Sequence, residues 1–455
     1  MTATPMFQQY QALRAAHPDA ILFFRMGDFY EVFYDDAELC SRVLEITLTA
    51  RNKHEDDPIP MAGVPHHAAA GYITKLTAEG YRVAIAEQVE DPALAKGLVK
   101  REVVRVVTPG VVLDPTTLAA REANYLMALV AEAAGVGLAF LDLSTGDFRT
   151  TTVSDLDAAI AEIHRLEPRE ALLHPGVADH PGVAAALRRH RTLVSRVEDE
   201  AWTADEALRE LHGTLKVADL RGFGVEPDAP GTRAAGAALR YGRDLSGGTV
   251  RNVHVLRPYH PERFMVVDDT TRRNLEIDRT LLGGKRKGSL LWLIDRTATA
   301  MGSRRLKEWL AFPLMDIGAI GARQAAIGEL VEDGPARDAL REALKRVADV
   351  ERIAARVGQG TANARDLVAL RRSLQAVPQV VEPLHALPAL HAHLPPDGLD
   401  DLRGQLERWL VDEPPIALTE GGLLNRGVHA ELDELTTLSL EGMGLITSLE
   451  AQYRE

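Results

Sequence analysis

The sequence predicts a multidomain protein in which two mixed α/β domains precede an all-α region. Its 455 residues suit two to four domains of roughly 100–200 residues each. Short runs rich in β-branched residues recur in the first part of the chain, whereas apolar residues after Ala237 follow helical 3–4 spacing. These patterns predict domains over residues 1–118, 124–236 and 237–455.

The composition narrows the class of protein. Hydrophobic residues make up 46% of the chain and charged residues 26%, which is ordinary for a globular protein. No run of about 18 apolar residues occurs, so we expect no membrane span. The single cysteine, Cys40, excludes an internal disulfide and a thiolate metal site, and it fits a reducing cytosol.

Charge is distributed unevenly along the chain, whose net charge is −14. Residues 1–115 contain 11 Lys and Arg against 16 Asp and Glu, whereas residues 240–307 contain 15 against 7. A nucleic-acid-binding surface normally has a basic footprint. Any such binding by the first domain would therefore depend on a few precisely placed groups.

The first domain should combine strands and helices. "AILFFRM" is an apolar run of strand length, and "YRVAIAEQV" and "REVVRVVT" alternate as strands do. "DDAELCSRVLEI" has helical spacing, with Asp35 or Asp36 as the expected N-cap. Two Pro and one Gly in "TPGVVLDPTT" indicate the exit from the domain.

The second domain should be a small α/β unit. Two alternating strands flank "STGD" in "VGLAFLDLSTGDFRTTTV", which is typical of a hairpin. A helix is predicted for "DLDAAIAEIHRL" and a strand for "EALLHP". This succession of strands and helices indicates α/β architecture.

The third domain should be helical, with helices expected over "GSRRLKEWLAF", "LREALKRVADVERIAARV" and "ARDLVALRRSLQAVPQVV". The last helical pattern continues to the final residue without a Gly, Asn or Pro stop signal. We therefore expect the chain to end inside a helix, as a truncated form of a longer protein would. The apolar stripe of that helix comprises Leu432, Leu435, Met443, Ile446 and Leu449.

A phosphate-binding loop is not expected. In "GGKRKGS", Gly283 and Gly288 have the P-loop spacing, but Ser289 stands where that motif requires Lys, and no strand pattern ends just before it. A solvated basic loop explains the stretch better.

Metal-dependent chemistry has weak candidates. Asp142 and Asp147 lie on the predicted hairpin, where ribonuclease-H-like nucleases carry metal-binding carboxylates, but solvation of the hairpin explains them more simply. His66 and His67 are adjacent on a segment predicted to be extended, so their side chains should point to opposite faces. We expect neither a metal site nor a catalytic site in this chain.

The stretch "RMGDFYEVF" is the most informative motif. Gly27 and Asp28 indicate a turn, after which Phe29 and Glu31 share one face of a strand and Tyr30 points to the other. Taken alone, the motif fits a core aromatic at Phe29 and a carboxylate at the rim. We assign Tyr30 to the core.

Longer motifs overturn that structural interpretation. The chain closely resembles the bacterial MutS family of DNA mismatch-repair proteins, in order and over essentially its whole length. The stretches that carry this resemblance are "TPMFQQYQALRAAHPDAILFFRMGDFYEVFYDDA", "IPMAGVPHHA", "AIAEQVEDP", "VVRVVTPGVV", "DLRGFGVE", "TRRNLEI", "SLLWLIDRTATAMGSRRLKEWLAFPL" and "DVERIAARV".

The resemblance implies roles for five residues. Phe29 would enter the minor groove and stack on a mispaired or unpaired base, and Glu31 would hydrogen-bond to the same base. Met26 and Asp28 would line the base of this wedge. Arg51 matches a family position near the DNA backbone, although an ordinary surface arginine explains it equally well.

The resemblance also implies partners and missing parts. Residues 124–236 would be a ribonuclease-H-like connector domain without catalysis that binds MutL, and residues 237–455 the helical core and the start of the lever. The clamp and the ATPase domain are expected only in a longer protein, together with ATP, Mg²⁺ and a homodimer.

These 455 residues would be a monomeric, cytoplasmic, non-enzymatic lesion sensor that joins the nucleoid when it binds mismatched double-stranded DNA. The alternative is a truncated interaction protein that engages MutL without productive DNA binding. A nuclease acting through Asp142 and Asp147 is a more remote alternative.

Overall fold

The computed structural model describes residues 4–51, 58–90, 99–112, 118–248, 250–394, 397–415, 418–439, 442 and 444. The chain divides into two compact units, one comprising Met1–Ile320 with Ala354–Gly360 and the other comprising Gly321–Ile353 with Thr361–Glu455. Among the described helices, none combines the length and apolar character that crossing a bilayer requires.

The first sheet has six strands: β1 (Ala20–Met26), β2 (Phe29–Phe33), β3 (Thr49–Arg51), β4 (Ile59–Pro65), β5 (Arg82–Gln88) and β6 (Arg101–Val107). Their order is β3-β4-β2-β1-β5-β6. The pair β1–β5 is parallel and the others are antiparallel. The helices are α1 (Pro5–Ala16), α2 (Asp35–Leu44) and α3 (Ala69–Ala78). The three strands predicted for this domain are confirmed.

The two faces of this sheet are covered differently. Helices α2 and α3 pack on the face that contains Phe23, Tyr30 and Val32. Helix α1 packs on the opposite face, against Phe24 and Phe33. Because Phe33, Glu31 and Phe29 alternate along β2 on that second face, α1 covers one end of the strand and leaves the other end exposed.

The predicted cap of α2 is wrong. Tyr34 occupies the N-cap position with φ +55°, and Asp35 and Asp36 lie in the first helical turn. The Asp36 carboxylate instead accepts the Leu22 backbone N–H at 3.2 Å and pairs with Arg14 at 3.0 Å. The tertiary partners therefore override the local capping preference.

The second sheet also has six strands: β7 (Leu126–Glu132), β8 (Gly135–Asp142), β9 (Asp147–Val153), β10 (Glu170–Leu173), β11 (Leu193–Ser195) and β12 (Arg257–Pro258). Their order is β11-β10-β7-β8-β9-β12. The helices are α4 (Leu156–Leu166), α5 (Pro175–Ala178), α6 (Pro181–Arg189), α7 (Ala204–Leu215) and α8 (Pro230–Leu245). The predicted hairpin, helix and β10 strand are confirmed.

Helix α8 is continuous across residues 236 and 237, where the sequence analysis divides two domains. Ala234, Ala235, Ala237 and Leu239 belong to the same hydrophobic core as Leu126 of β7. The small side chains of α8 allow this close approach: a Cβ added to Gly236 would lie 2.3 Å from the Ala207 Cα.

Helices dominate the rest of the chain: α9 (Asp269–Asn274), α10 (Leu290–Ile294), α11 (Ala300–Ala311), α12 (Ile317–Glu332), α13 (Gly334–Leu344), α14 (Val350–Gln359), α15 (Ala364–Val381), α16 (Pro388–His391) and α17 (Asp400–Trp409). Short 3₁₀ turns occur at His66–Ala68, Asp199–Trp202, Leu220–Phe223, Pro261–Arg263, Glu382–Ala386 and Leu418–Glu420.

Residues 430–439 are also helical, and Leu432 and Leu435 are exposed there. Met443, Ile446 and Leu449 of the predicted stripe lie outside the described residues. The run "LREALKRVADVERIAARV" forms two helices, α13 and α14, rather than one.

A buried carboxylate joins the two sheets of the first unit. Glu170 of β10 is 0% exposed and accepts hydrogen bonds from the Gly110 backbone N–H at 3.0 Å and the Tyr241 hydroxyl at 2.5 Å. The Thr108 and Ser195 hydroxyls also donate to it. Because Thr108 and Gly110 follow β6 directly, one side chain fixes the end of the first sheet onto the second.

We expect Glu170→Ala to lower the free energy of unfolding of the chain by about 2–4 kcal/mol, because several buried donors lose their acceptor at once. Urea unfolding measures this difference. Glu226→Ala is the matched control, since Glu226 is largely exposed. Equal unfolding midpoints for the two variants would contradict the structural role of Glu170.

Candidate nucleic-acid interface

A two-residue turn orients the candidate site. Gly27 and Asp28 join β1 to β2, and Met26 pairs with Phe29 across the turn. Gly27 has φ +57°, a left-handed conformation that glycine adopts at little cost. The Asp28 carbonyl accepts the His66 backbone N–H at 2.8 Å, which ties the turn to the end of β4.

Strand β2 presents Phe29 to solvent. The Phe29 side chain is 47% exposed, whereas Tyr30 is 4% exposed and Val32 is buried on the opposite face. The predicted alternation and the core assignment of Tyr30 are thus confirmed, and Phe29 is not a core residue. The Phe29 ring therefore lies in solvent at the end of a strand whose inward-facing residues are buried.

Gly63 of β4 leaves open space beside the exposed ring. It pairs with Glu31 in the sheet. A Cβ at this position would lie 3.8 Å from the Phe29 Cδ1 and 3.9 Å from the Glu31 Cγ. Phe29 and Glu31 therefore flank a surface of bare backbone, where a planar group could approach both side chains.

Glu31 pairs with Arg51, so the structure brings together two residues that the sequence analysis connected only through the resemblance. The Arg51 Nη1 lies 3.2 Å from the Glu31 Oε2, and its guanidinium lies 6.0 Å from the centre of the Phe7 ring. Burial raises the pKa of the Glu31 carboxyl, while the positive charges of Arg51 and Arg101 act in the opposite direction.

Arg101 is a further member of the site, one that the sequence analysis missed. This buried side chain donates to the Arg25 carbonyl at 2.7 Å and the Val99 carbonyl at 2.9 Å, and it contacts the Met26 sulfur at 3.6 Å. Its guanidinium lies 4.9 Å from the centre of the Phe24 ring. In "REVVRVVT" it is simply the first of two arginines on a strand, so no local pattern distinguishes it.

The structure thus brings four of the five predicted residues into one neighbourhood. Phe29 and Glu31 share a face, Arg51 bonds to Glu31, and Met26 pairs with Phe29 and contacts Arg101. Asp28 is exposed in the turn.

The hairpin carboxylates are structural anchors, and the prediction that they serve hairpin solvation is wrong. Asp142 is buried and accepts hydrogen bonds from the Asn124 and Ser144 backbone N–H groups, each at 2.9 Å. Asp147 accepts the Tyr125 hydroxyl at 2.8 Å and pairs with Arg149 at 2.8 Å.

The other motifs weighed for chemistry also have local structural roles. Ser289 caps helix α10 by accepting the Trp292 backbone N–H at 3.2 Å. His66 and His67 lie in a 3₁₀ turn rather than on an extended segment, and the His66 ring packs 5.4 Å from the Tyr30 ring. Within the described ranges, no three His, Cys, Asp or Glu side chains are grouped as metal ligands would be.

Fold and site together define a multidomain protein that displays an aromatic–carboxylate pair on a sheet. Family models match three consecutive stretches of the chain: MutS domain I over residues 4–116, MutS domain II over residues 124–254 and MutS domain III over residues 270–453. The chain therefore belongs to the MutS family.

Curated relatives agree with this assignment. The chain is 47% identical to the "DNA mismatch repair protein MutS" of Symbiobacterium thermophilum, over 100% of this chain and 53% of the relative. It is 45% identical to that of Anaeromyxobacter dehalogenans, over 99% and 51%, and 41% identical to that of Desulfatibacillum aliphaticivorans, over 99% and 51%. The chain spans about half the length of the curated relatives it matches.

The raised pKa of Glu31 predicts a pH-dependent stability difference. Because the folded protein holds this proton more tightly than the unfolded chain, the contribution of Glu31 to stability is largest below its ordinary pKa of 4.5. That contribution is lost as the pH rises through the folded pKa. Glu31→Gln removes the titration, so the wild type should lose stability relative to this variant as the pH rises above 4.5 and through the folded pKa.

Urea-unfolding midpoints of the wild type and Glu31→Gln, measured from below the ordinary pKa of glutamate up to neutral pH, test the prediction. The control is Glu38→Gln, because Glu38 lies exposed on α2. If the difference between wild type and Glu31→Gln stayed constant with pH, burial would not govern the Glu31 carboxyl.

Proposed function

We propose that this chain recognises mispaired or unpaired bases in double-stranded DNA for mismatch repair. The observation that carries the proposal is the exposed ring of Phe29, fixed on a strand whose alternate residues are buried, beside the half-buried carboxylate of Glu31. In this proposal Phe29 enters the minor groove and stacks on the lesion, while Glu31 hydrogen-bonds to the same base. Met26 and Asp28 support the wedge, and Arg51 contacts the backbone.

The energetics favour a damaged step. A wedge spends a few kcal/mol on unstacking a base step and gains a kinked duplex that contacts more protein. Stacking on an aromatic ring returns about 1–3 kcal/mol per base. Since a mismatched base is already poorly paired, its unstacking costs less than that of a paired base. Discrimination through deformability lets one site accept many different errors.

Glu31 binds the base in its protonated form in this proposal. An ionised carboxylate next to phosphates is repelled, and burial already raises the pKa of Glu31. As a neutral acid, Glu31 donates to a nitrogen acceptor on the mispaired or unpaired base. Where no such acceptor is presented, the ionised form disfavours an intact duplex.

The remaining domains take the roles that the family assignment suggests. The region of residues 124–236, with a ribonuclease-H-like connector fold, binds MutL, and the helical region forms the core and the start of the lever. ATP, Mg²⁺ and a homodimer are part of the proposal only for a protein that extends beyond these 455 residues, and the role proposed for the domains of this chain is binding.

We expect Phe29→Ala to reduce the preference for a duplex with one unpaired thymine over its paired twin by about five- to a hundredfold, the equivalent of one stacked base. Fluorescence anisotropy with labelled duplexes at low salt measures both affinities. Trp292→Ala removes an equally exposed aromatic from α10 and should keep the preference.

Equal, weak binding of both duplexes by the wild type would contradict the proposal that this chain recognises lesions on its own. It would favour the alternative function, an interaction protein that engages MutL without productive DNA binding. The acidic excess of residues 1–115, with 16 Asp and Glu against 11 Lys and Arg, is the observation that favours this alternative.

We expect Glu31→Gln to bind the fully paired duplex about two- to fivefold more tightly than the wild type, the range of one partly exposed charge interaction. The amide removes the repulsion between carboxylate and phosphates while it preserves a hydrogen-bond donor. The same anisotropy titrations supply the measurement, with Glu38→Gln as the control. Unchanged affinity for the paired duplex would contradict a penalising role of the ionised carboxylate.

A further inference from the structure

Arg51 and Glu31 form an ion pair at the uncovered end of the first sheet. Their strands lie on either side of β4: Glu31 is opposite Gly63 and Arg51 is opposite Ile59. The Arg51 side chain therefore reaches along and over β4 to place Nη1 3.2 Å from the Glu31 Oε2.

The two cations that act on Glu31 differ in how firmly they are held. Arg101 is buried and donates to two backbone carbonyls, those of Arg25 and Val99. The Arg51 side chain is 36% exposed, and within the described residues its hydrogen bond is to Glu31 alone. Arg101 is thus a fixed charge, whereas Arg51 can leave Glu31 at the cost of one exposed ion pair.

The other neighbours of Glu31 bring no charge to it in the described part of the chain. Its cross-strand partners are Phe24 on β1 and Gly63 on β4. Helix α1 presents the Phe7 ring to the guanidinium of Arg51. The proton affinity of Glu31 therefore responds chiefly to burial, to Arg101 and to the position of Arg51.

We propose that Arg51 is a releasable counter-ion that couples phosphate binding to protonation of Glu31. In the free protein Arg51 pairs with the carboxylate and favours its ionised form, in opposition to burial. When a DNA phosphate takes the guanidinium, Glu31 loses its neighbouring positive charge, acquires a negative one nearby and takes up a proton from solvent. The DNA part of this inference rests on the proposed function above.

This coupling makes Arg51 a specificity-determining residue rather than a simple anchor. A phosphate takes the Arg51 guanidinium only if the ion pair with Glu31 breaks. The free energy of that ion pair therefore offsets part of the attraction between Arg51 and the phosphate. A hydrogen bond from protonated Glu31 to the base compensates for the lost ion pair, and this bond forms only where the base offers an acceptor. Breaking the ion pair therefore disfavours an intact duplex more than a lesion, because only the lesion compensates for it through a hydrogen bond with protonated Glu31.

The first test uses the free protein. With ¹³C-labelled glutamate side chains, the carboxyl signal that disappears in Glu31→Gln reports the titration of Glu31. We expect Arg51→Met to raise the pKa of Glu31 relative to the wild type, and Arg51→Lys to restore most of the difference. Arg42→Met, which removes an exposed charge from α2 on the other face of the sheet, should leave the titration unchanged.

The second test is a double-mutant cycle on a duplex with one unpaired adenine, whose ring nitrogens accept hydrogen bonds. Arg51→Met loses a phosphate contact in every background, but in the wild type it also removes the ion pair that binding must break. We therefore expect Arg51→Met to cost about two- to fivefold more affinity in the Glu31→Gln background than in the wild type. The excess should be smaller at high salt.

An unchanged Glu31 titration in Arg51→Met, or equal costs in the two backgrounds, would overturn the coupling. The titration needs no DNA, so it distinguishes this failure from failure of the proposed function. If Phe29→Ala keeps the lesion preference while Arg51→Met raises the pKa of Glu31, the coupling between Arg51 and Glu31 is supported and the stacking role of Phe29 is contradicted.

Discussion

Burial of Tyr30 and Val32 under α2 and α3 aims the opposite residues of β2, Phe29 and Glu31, away from that core. A strand alternates with a period of two, so a slip of one residue would place Phe29 in the core and Tyr30 in solvent. The Gly27–Asp28 turn and the pairing of β2 with β1 and β4 on both sides resist such a slip. Each feature of the candidate site depends on this register.

The second face of the sheet serves two purposes along its length. Under α1 it is a hydrophobic core containing Phe24 and Phe33. Beyond the helix the same face carries Phe29, Glu31 and Gly63, with Arg101 fixed beneath the turn. A site that continues a packed core gains its rigidity from that core, so the side chains that would meet a ligand need little ordering when it binds.

Sequence patterns predict the local parts of this arrangement and miss the tertiary ones. An apolar run of strand length predicts β1, and alternation predicts β5, β6, the β8–β9 hairpin and the shared face of Phe29 and Glu31. Strand β7 went unpredicted because its buried run "LMALVAE" has no alternation to separate it from a helix. Arg101 and Glu170 look like ordinary surface charges in sequence, and Asp36 looks like a helix N-cap. Their partners are distant along the chain, such as Tyr241 for Glu170, and no periodicity encodes such a contact.

In the proposed function, an acidic domain can recognise a DNA lesion because general attraction to phosphates and recognition of a base are separate contributions to binding. Two of the cations nearest the candidate reader, Arg51 and Arg101, are engaged by protein acceptors rather than free for phosphates. A surface with few free cations gains little from the backbone of any duplex. The difference in deformability between a damaged and an intact step then makes up a larger share of the binding energy. The backbone attraction is common to both duplexes, so it cancels from the ratio of their affinities. Weak general attraction thereby lowers the affinity for both duplexes and leaves discrimination to the deformability of the damaged step.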